Sequence, residues 1–234
     1  VRYIVTDTET TGLDHEKDGI VEIAGACREG DSLLVYESFC NPGTPISVEA
    51  MATHHITEDM VRGAKLPRDA LSQMMHKLKG DGVTLLVAHN AQFDRGFIGK
   101  LSLKLSDQTR WICTYRCAMH LWPDAPGHSN QVLRYWLDVK PELPPGLYPH
   151  RALYDVMVTE AILRRMLETK SLEELVELSQ KPVLLSKVRF GKHKGMFWKD
   201  VPSDYLRWIL KQSDIDSDVR HTAYHYATGQ TRLI

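Results

Sequence analysis

Two acidic residues one position apart, Asp7 and Glu9, lie in the run Tyr3-Ile4-Val5-Thr6-Asp7-Thr8-Glu9, which reads as a strand. Strand side chains alternate between faces, so residues two apart point the same way. Neighbouring carboxylates repel, and at least one pKa rises unless a cation lies between them. A divalent cation resolves that conflict, and donors that are all oxygen favour Mg2+ or Mn2+ over zinc. Gly12 then lets the backbone turn, and Leu13 puts an apolar side chain at the strand mouth. Asp-x-Glu triplets arise often by chance, so the pair carries little weight unaided.

Two further segments add to it. In Ala88-His89-Asn90-Ala91-Gln92-Phe93-Asp94, an apolar run ends in polar residues and a helix opens near Ala91, with Asp94 in its first turn. Exposed backbone N–H groups favour negative charge there, and that alone would account for Asp94. Ligands of open α/β sheets also gather at strand ends. In His150-Arg151-Ala152-Leu153-Tyr154-Asp155, five positions on an ideal helix turn through roughly 140°, so His150 and Asp155 would not share a helix face. Pro149 just before His150 suggests a histidine on the loop and an aspartate on the helix. A mobile histidine suits proton transfer near neutral pH. A surface histidine beside an ordinary helix-start aspartate is the plainer reading of this segment alone.

Stepping outward, Ile20–Cys27 and Leu33–Cys40 read as strands, joined as a hairpin by Arg28-Glu29-Gly30-Asp31-Ser32. Pro67 suits a first helical turn, and Ala70, Leu71, Met74, Met75 and Leu78 form one apolar stripe stopped by Gly80. Leu85–Ala88 reads as a buried strand and Trp111–Cys113 as another. Phe93, Phe97, Leu101 and Leu105 recur at helical spacing. A proline-rich loop covers Pro141–Pro149, and a long helix runs from about His150 to Leu167. Early strands followed by alternating helices and strands point to an α/β domain with a mixed sheet. Ser171-Leu172-Glu173-Glu174 has the capping-box pattern of a further helix ending near Pro182. The expected organisation is a catalytic domain over 1–168, a linker helix over 169–182 and a small basic module over 183–234.

The 234 residues carry a net charge of −1, split unevenly. Residues 1–180 hold 19 Lys+Arg and 25 Asp+Glu, and residues 181–234 hold 10 and 5. An acidic body with a basic tail fits a metal-binding core joined to a polyanion-binding module, although such asymmetry also arises by chance. Four cysteines, Cys27, Cys40, Cys113 and Cys117, are too sparse for a disulfide framework and read as reduced thiols of a cytoplasmic protein. No apolar run is long enough to span a bilayer, so no membrane association is expected. Gly191-Lys192-His193-Lys194-Gly195 lacks P-loop spacing, and no His-Glu-x-x-His or Cys-x2-Cys pair marks a zinc enzyme. Lys192, His193 and Lys194 could instead touch phosphates, with Phe197, Trp198 and Trp208 either stacking on bases or building the small module's own core, a choice left open for Trp198. Trp208, at helical spacing from Tyr205, is expected in the small module's core.

Together, Asp7-Thr8-Glu9-Thr10-Thr11-Gly12-Leu13, His89-Asn90-Ala91-Gln92-Phe93-Asp94 and His150-x4-Asp155 resemble the DEDDh exonuclease family, also called DnaQ-like or RNase T-like. Thr53-His54-His55-Ile56-Thr57 resembles the family's His-x-Ile-Thr segment. The resemblance covers about the first 168 residues. A narrower one, to a DNA-degrading branch, runs through Trp111–Thr114, Leu121–Pro123, His128–Asn130, Pro144–Leu147 and Phe190–Gly195 to Val201–Trp208.

The resemblance implies an RNase H-like mixed five-stranded sheet flanked by helices. It implies a 3′–5′ exodeoxyribonuclease that releases nucleoside 5′-monophosphates from DNA 3′ ends, single-stranded or duplex, in DNA repair. A polymerase proofreading subunit and an RNA-trimming exoribonuclease are the rivals. Two Mg2+ ions, replaceable by Mn2+, would be held by Asp7, Glu9, Asp94 and Asp155, with His150 as the proton acceptor. Thr8, Thr10, Thr11, Leu13, Asn90 and Phe93 would meet the terminal nucleotide, and His54 would line the strand channel. A core role for Leu13 and a surface role for His54 stay open at this stage.

Overall fold

A computed structural model of the chain describes residues 2–79, 85–102 and 109–229. The Tyr3–Thr10 strand (β1) lies at the centre of a five-stranded sheet. It pairs antiparallel with Ile20–Glu29 (β2), which pairs antiparallel with Ser32–Phe39 (β3). On its other edge β1 runs parallel to Leu85–Ala88 (β4), and β4 runs parallel to Arg110–Cys113 (β5). The order is therefore β3-β2-β1-β4-β5, the mixed five-stranded sheet that the resemblance implies.

Both faces of β1 are covered, which explains its apolar start. Val5, Ala24, Ala26 and Val87 point into one core, filled by Val156, Met157, Ile162 and Leu163 of a helix over Ala152–Leu167. Ile4, Ile23 and Leu86 point into a second core with Met74 and Leu78 of a helix over Pro67–Lys79 and Ile98 of a helix over Ala91–Leu101. Gly25 lies where this layer is tightest: a Cβ there would sit 2.8 Å from the Met74 sulfur and 3.0 Å from Leu78. Asp7 and Glu9 share the register of Val5 and emerge on the same side as the Ala152–Leu167 helix.

Among the described residues, five α-helices were not foreseen: Val48–His54, Glu58–Val61, Thr114–Leu121, Asn130–Trp136 and Ser217–Thr228. The Thr114–Leu121 helix follows β5 without an intervening turn, and its N-cap residue, Cys113, makes no side-chain cap. The stop expected at Gly80 lies outside the described residues, whereas the helix read through Phe93, Phe97, Leu101 and Leu105 ends at Leu101, because Ser102 is extended (φ −154°) and cannot continue it.

The chain divides into two compact units, residues 1–179 and 180–234. The Leu172–Gln180 helix opens with the expected box: Ser171 Oγ accepts from the Glu174 N–H, and the Glu174 carboxylate accepts from the Ser171 N–H at 2.8 Å. Leu175 and Val176 of this helix are buried in the first unit's core. Ser179 Oγ accepts from the Cys113 N–H at 2.8 Å, so the segment read as a linker is built onto the sheet domain.

The second unit has its own core of Val188, Trp198, Val201, Tyr205, Leu206, Ile209, Val219 and Ala223. Two helices, Ser203–Leu210 and Ser217–Thr228, close it. Trp198 is fully buried, whereas Trp208, expected in this core, is 49% exposed and stacks on Tyr205. The buried stripe is Tyr205, Leu206 and Ile209, and Trp208 lies one residue (about 100°) off Ile209, at the edge of that stripe. All four cysteines are free and buried.

Candidate active site

The C-terminal half of β1 supplies Asp7 and Glu9. The first turn of the Ala152–Leu167 helix supplies Asp155. One carboxylate oxygen from each lies within 4.8 Å of the other two. Asp94, in the first turn of the Ala91–Leu101 helix, is 2% exposed and accepts a hydrogen bond from Thr8 Oγ1 at 2.9 Å. Burial raises the Asp7 pKa well above the ordinary range, and the charges of Asp94, Glu9 and Asp155 push it further. Glu9 is pushed up to about 8 by burial and then by Asp155 and Glu22. Asp94 is pushed up to about 7 by burial, against the Thr8 hydrogen bond that favours its charge. Asp155 is also raised by burial, opposed by a hydrogen bond from the His150 N–H. Converging carboxylates that resist ionisation are a donor set suited to hard divalent cations.

His150 and Asp155 divide between loop and helix. His150 is exposed and has φ 63°, a left-handed conformation uncommon for a residue with a Cβ. Its backbone N–H donates to Asp155 Oδ2 at 3.0 Å, so the histidine loop and the carboxylate are joined through the main chain. Asn90, before Asp94, is also left-handed (φ 71°) and exposed.

The threonines of the first motif spend their hydroxyls internally. Thr10 Oγ1 donates to the Gly12 carbonyl at 2.6 Å, and Thr11 Oγ1 donates to Asp18 at 3.1 Å. Asp18 also accepts from the Asp14 N–H at 2.9 Å, so one carboxylate closes the 11–18 loop. Gly12 is needed for space: a Cβ there would sit 2.5 Å from Asp18 Oδ2. The loop presents Leu13 at 86% exposure, so Leu13 is not a core residue. Phe93 is half-buried against Phe97.

His54, expected along the strand channel, is 2% exposed. Its Nδ1 accepts from the Ile56 N–H at 3.0 Å, which leaves Nε2 as donor to the Thr10 carbonyl at 3.2 Å. Burial lowers its pKa. It braces the Thr10 backbone and offers no free ring atom. His89 is held likewise between Thr114 Oγ1 and the His128 carbonyl, and burial pushes its pKa down to about 4.

Three contributors escaped the sequence reading. Glu22 faces Glu9 across the β1–β2 ladder and is 1% exposed. Its carboxylate accepts from Arg151 Nε at 3.1 and 3.2 Å, from Arg151 Nη2 at 2.5 Å and from the Ala152 N–H at 2.9 Å. This clamp fixes the start of the helix that carries Asp155, one residue from His150. Asn130 Nδ2 lies 3.4 Å from Asp155 Oδ1 and 3.1 Å from Thr159 Oγ1. A lone charge inside the apolar run Ile20-Val21-Glu22-Ile23-Ala24 was the available signal for Glu22.

A profile of the RNase T family, described as Exonuclease, matches residues 4–163, which hold all five expected residues. The chain belongs to this exonuclease family. The exonuclease is 34% identical to Exodeoxyribonuclease 10 of Escherichia coli strain K12 over 229 residues, 95% of this chain and 97% of that protein. DNA polymerase III PolC-type of Bacillus subtilis is 33% identical over 171 residues, 71% of this chain and 11% of that protein. Among solved structures, Exonuclease X in complex with 5′ overhanging duplex DNA aligns with TM-score 0.65 and 34% identity, covering 76% of this chain and 99% of that one. Exonuclease I aligns at TM-score 0.57 and 16% identity over 75% of this chain and 42% of that one, a likeness of fold. Among the described residues no helix is long and apolar enough to cross a membrane.

Proposed function

We propose that this exonuclease hydrolyses DNA from the 3′ end and releases nucleoside 5′-monophosphates. The reading is carried by the convergence of Asp7, Glu9 and Asp155 within 4.8 Å, with Asp94 near enough to raise the Asp7 pKa. Asp7, Glu9 and Asp155 would hold one Mg2+ and Asp7 with Asp94 a second, and Mn2+ would fit the same oxygen donors. Such ions, when bound, lower the pKa of water and offset charge on the phosphate. His150 accepts the proton of the attacking water: its ring is exposed, and its backbone is tied to Asp155. In the reaction a bond forms from the water oxygen to phosphorus and the bond from phosphorus to the 3′ oxygen breaks. Leu13, exposed on its loop, and Asn90, exposed in a left-handed turn four residues before Asp94, would meet the terminal nucleotide. The Glu22–Arg151 clamp keeps the histidine loop and the Asp155 helix in register.

Identity to Exodeoxyribonuclease 10 along 97% of that protein supports a DNA-degrading enzyme over a proofreading segment, since the PolC-type match covers only 71% of this chain. The test is release of mononucleotides from a 3′-labelled DNA strand and from a matched RNA strand, with Mg2+ or chelator. Wild type should release deoxynucleotides only with metal, and Asp7→Asn should release none. His150→Gln should keep metal affinity and lose turnover by at least about a hundredfold. Release that persists in chelator refutes the reading, and preference for RNA reassigns the substrate.

A further inference from the structure

The second unit separates its charges by position. Residues 181–199 hold Lys181, Lys187, Arg189, Lys192, Lys194 and Lys199 and no acidic residue. The acids follow, and several have structural duties. Asp216 caps the Ser217–Thr228 helix by accepting from the Asp218 and Val219 N–H groups, and Asp218 accepts from the Val183 N–H. Lys187, Lys192, Lys194 and Lys199 are exposed, and no carboxylate pairs with them among the described residues. The small unit therefore keeps uncompensated cations on a surface that could have been neutralised by its own acids.

Aromatic rings lie among these cations. Phe197 is 47% exposed, with Lys187 Nζ 4.8 Å and Lys199 Nζ 5.7 Å from its ring centroid. Trp208 is also half-exposed and stacks on Tyr205 at 5.2 Å, and Lys192 Nζ lies 5.4 Å from the Tyr205 ring. The core of the unit is closed by Trp198, so Phe197 and Trp208 are not needed to fill it. His193 differs from its neighbours: it packs 4.5 Å from the Tyr205 ring with Nε2 buried, so it supports the platform and does not face phosphate.

We infer that Phe197, exposed and flanked by Lys187 and Lys199 on the second unit, is the stacking centre of a binding platform for single-stranded nucleic acid. A single strand offers unpaired bases to stack on the exposed Phe197 ring and phosphates for the lysines beside it. A duplex offers phosphates but no free base faces. An anionic membrane surface offers charge without planar partners for the rings. Joined covalently to the catalytic unit, the platform raises the local concentration of the strand being degraded. The choice of DNA as probe rests on the reading above; the platform itself does not.

The test uses the full chain in chelator, so that no strand is cut, with binding to fluorescent oligo-dT followed by anisotropy over a salt series. Phe197→Ala should weaken binding about tenfold, and Phe197→Tyr, which keeps the ring, should restore it. Lys187→Gln with Lys199→Gln should make the log–log salt slope shallower by about 1.4, as expected for two lost phosphate contacts on a single strand. A blunt duplex of the same length should bind less tightly and without dependence on Phe197. Vesicles of phosphatidylserine and phosphatidylcholine should not compete. Equal oligo-dT affinity of wild type and Phe197→Ala overturns the platform, and Phe197-dependent vesicle binding without an oligo-dT effect reassigns it to membranes. With Mg2+ restored, release of mononucleotides from the same oligo-dT is followed for wild type. If wild type cleaves nothing while the oligo-dT differences hold, the nuclease reading falls and the platform stands.

Discussion

Three half-buried carboxylates, Asp7, Glu9 and Asp155, with the buried Asp94 beside Asp7, make the metal-free protein sensitive to pH in a calculable direction. Glu9 and Asp94 have folded pKa values near 8 and 7, above the ordinary carboxylate range of the unfolded chain. A group whose pKa rises on folding binds more protons when folded, so its contribution is fully present in acid and lost as pH climbs through the folded value. The sensitive window thus runs from about pH 4.5 to about 8.5. The rise for Glu9 alone corresponds to roughly 5 kcal/mol for ionising it in the pocket. Part of that loss lies below pH 5.5, and the carboxylates share one field so their costs do not add; about 3–5 kcal/mol is the expected loss between pH 5.5 and 8.5. At about 2–4 °C per kcal/mol, Tm of the first unit in chelator should fall by at least about 6 °C between pH 5.5 and 8.5. Millimolar Mg2+ should recover most of that fall at pH 8.5 and little at pH 5.5, where protons already occupy the oxygens. Asp7→Asn removes the most crowded charge and should raise Tm in chelator at pH 8.5 above that of wild type. Thermal scans by circular dichroism measure all three. A Tm that is flat across this range, or one that Mg2+ raises equally at both pH values, refutes the idea that these groups share one cation-requiring pocket.

Other substitutions probe the supports around that pocket. Arg151→Met leaves the buried Glu22 carboxylate unpaired and should cost about 3–5 kcal/mol in denaturant unfolding, with a drop in kcat. Adding Glu22→Leu should return most of the stability but not the kcat, because the clamp is still missing; full recovery of both would show that Arg151 does not position the histidine loop. Gly12→Ala forces Asp18 away from its two hydrogen bonds and should cost about 1–3 kcal/mol, with a raised KM from displacement of Leu13. Trp198→Ala empties the centre of the second unit's core and should cost that unit about 3–5 kcal/mol, whereas Trp208→Ala should cost it under about 1 kcal/mol.

The catalytic candidates were legible because each of their constraints is local. Alternation along β1 puts Asp7 and Glu9 on one face, a helix start places Asp94, and Pro149 splits His150 from Asp155. The pairing of Glu22 with Arg151 was invisible for the opposite reason: the partners lie 129 positions apart, and no spacing rule links them. Asn130 meets Asp155 only because the Asn130–Trp136 helix packs on the Ala152–Leu167 helix. Trp208 was misjudged from its helical spacing to Tyr205, and Trp198 could not be decided, since it lies in a short 3-10 turn with no period to read. His54 shows the same limit, as its recognisable motif gave no hint that both ring nitrogens serve the backbone.

The ladder between β1 and β2 breaks step at the end of the acidic pair: Glu9 stands opposite Glu22, but Thr10 stands opposite Ile20. Val21 is the unmatched residue, and such an irregularity locks two strands against sliding. Were β1 to slip by one position, Asp7 and Glu9 would turn to the far side of the sheet together. A misaligned molecule would then lose both carboxylates from beside Asp155 at once, so an error in pairing dismantles the acidic cluster whole and leaves no partial version of it.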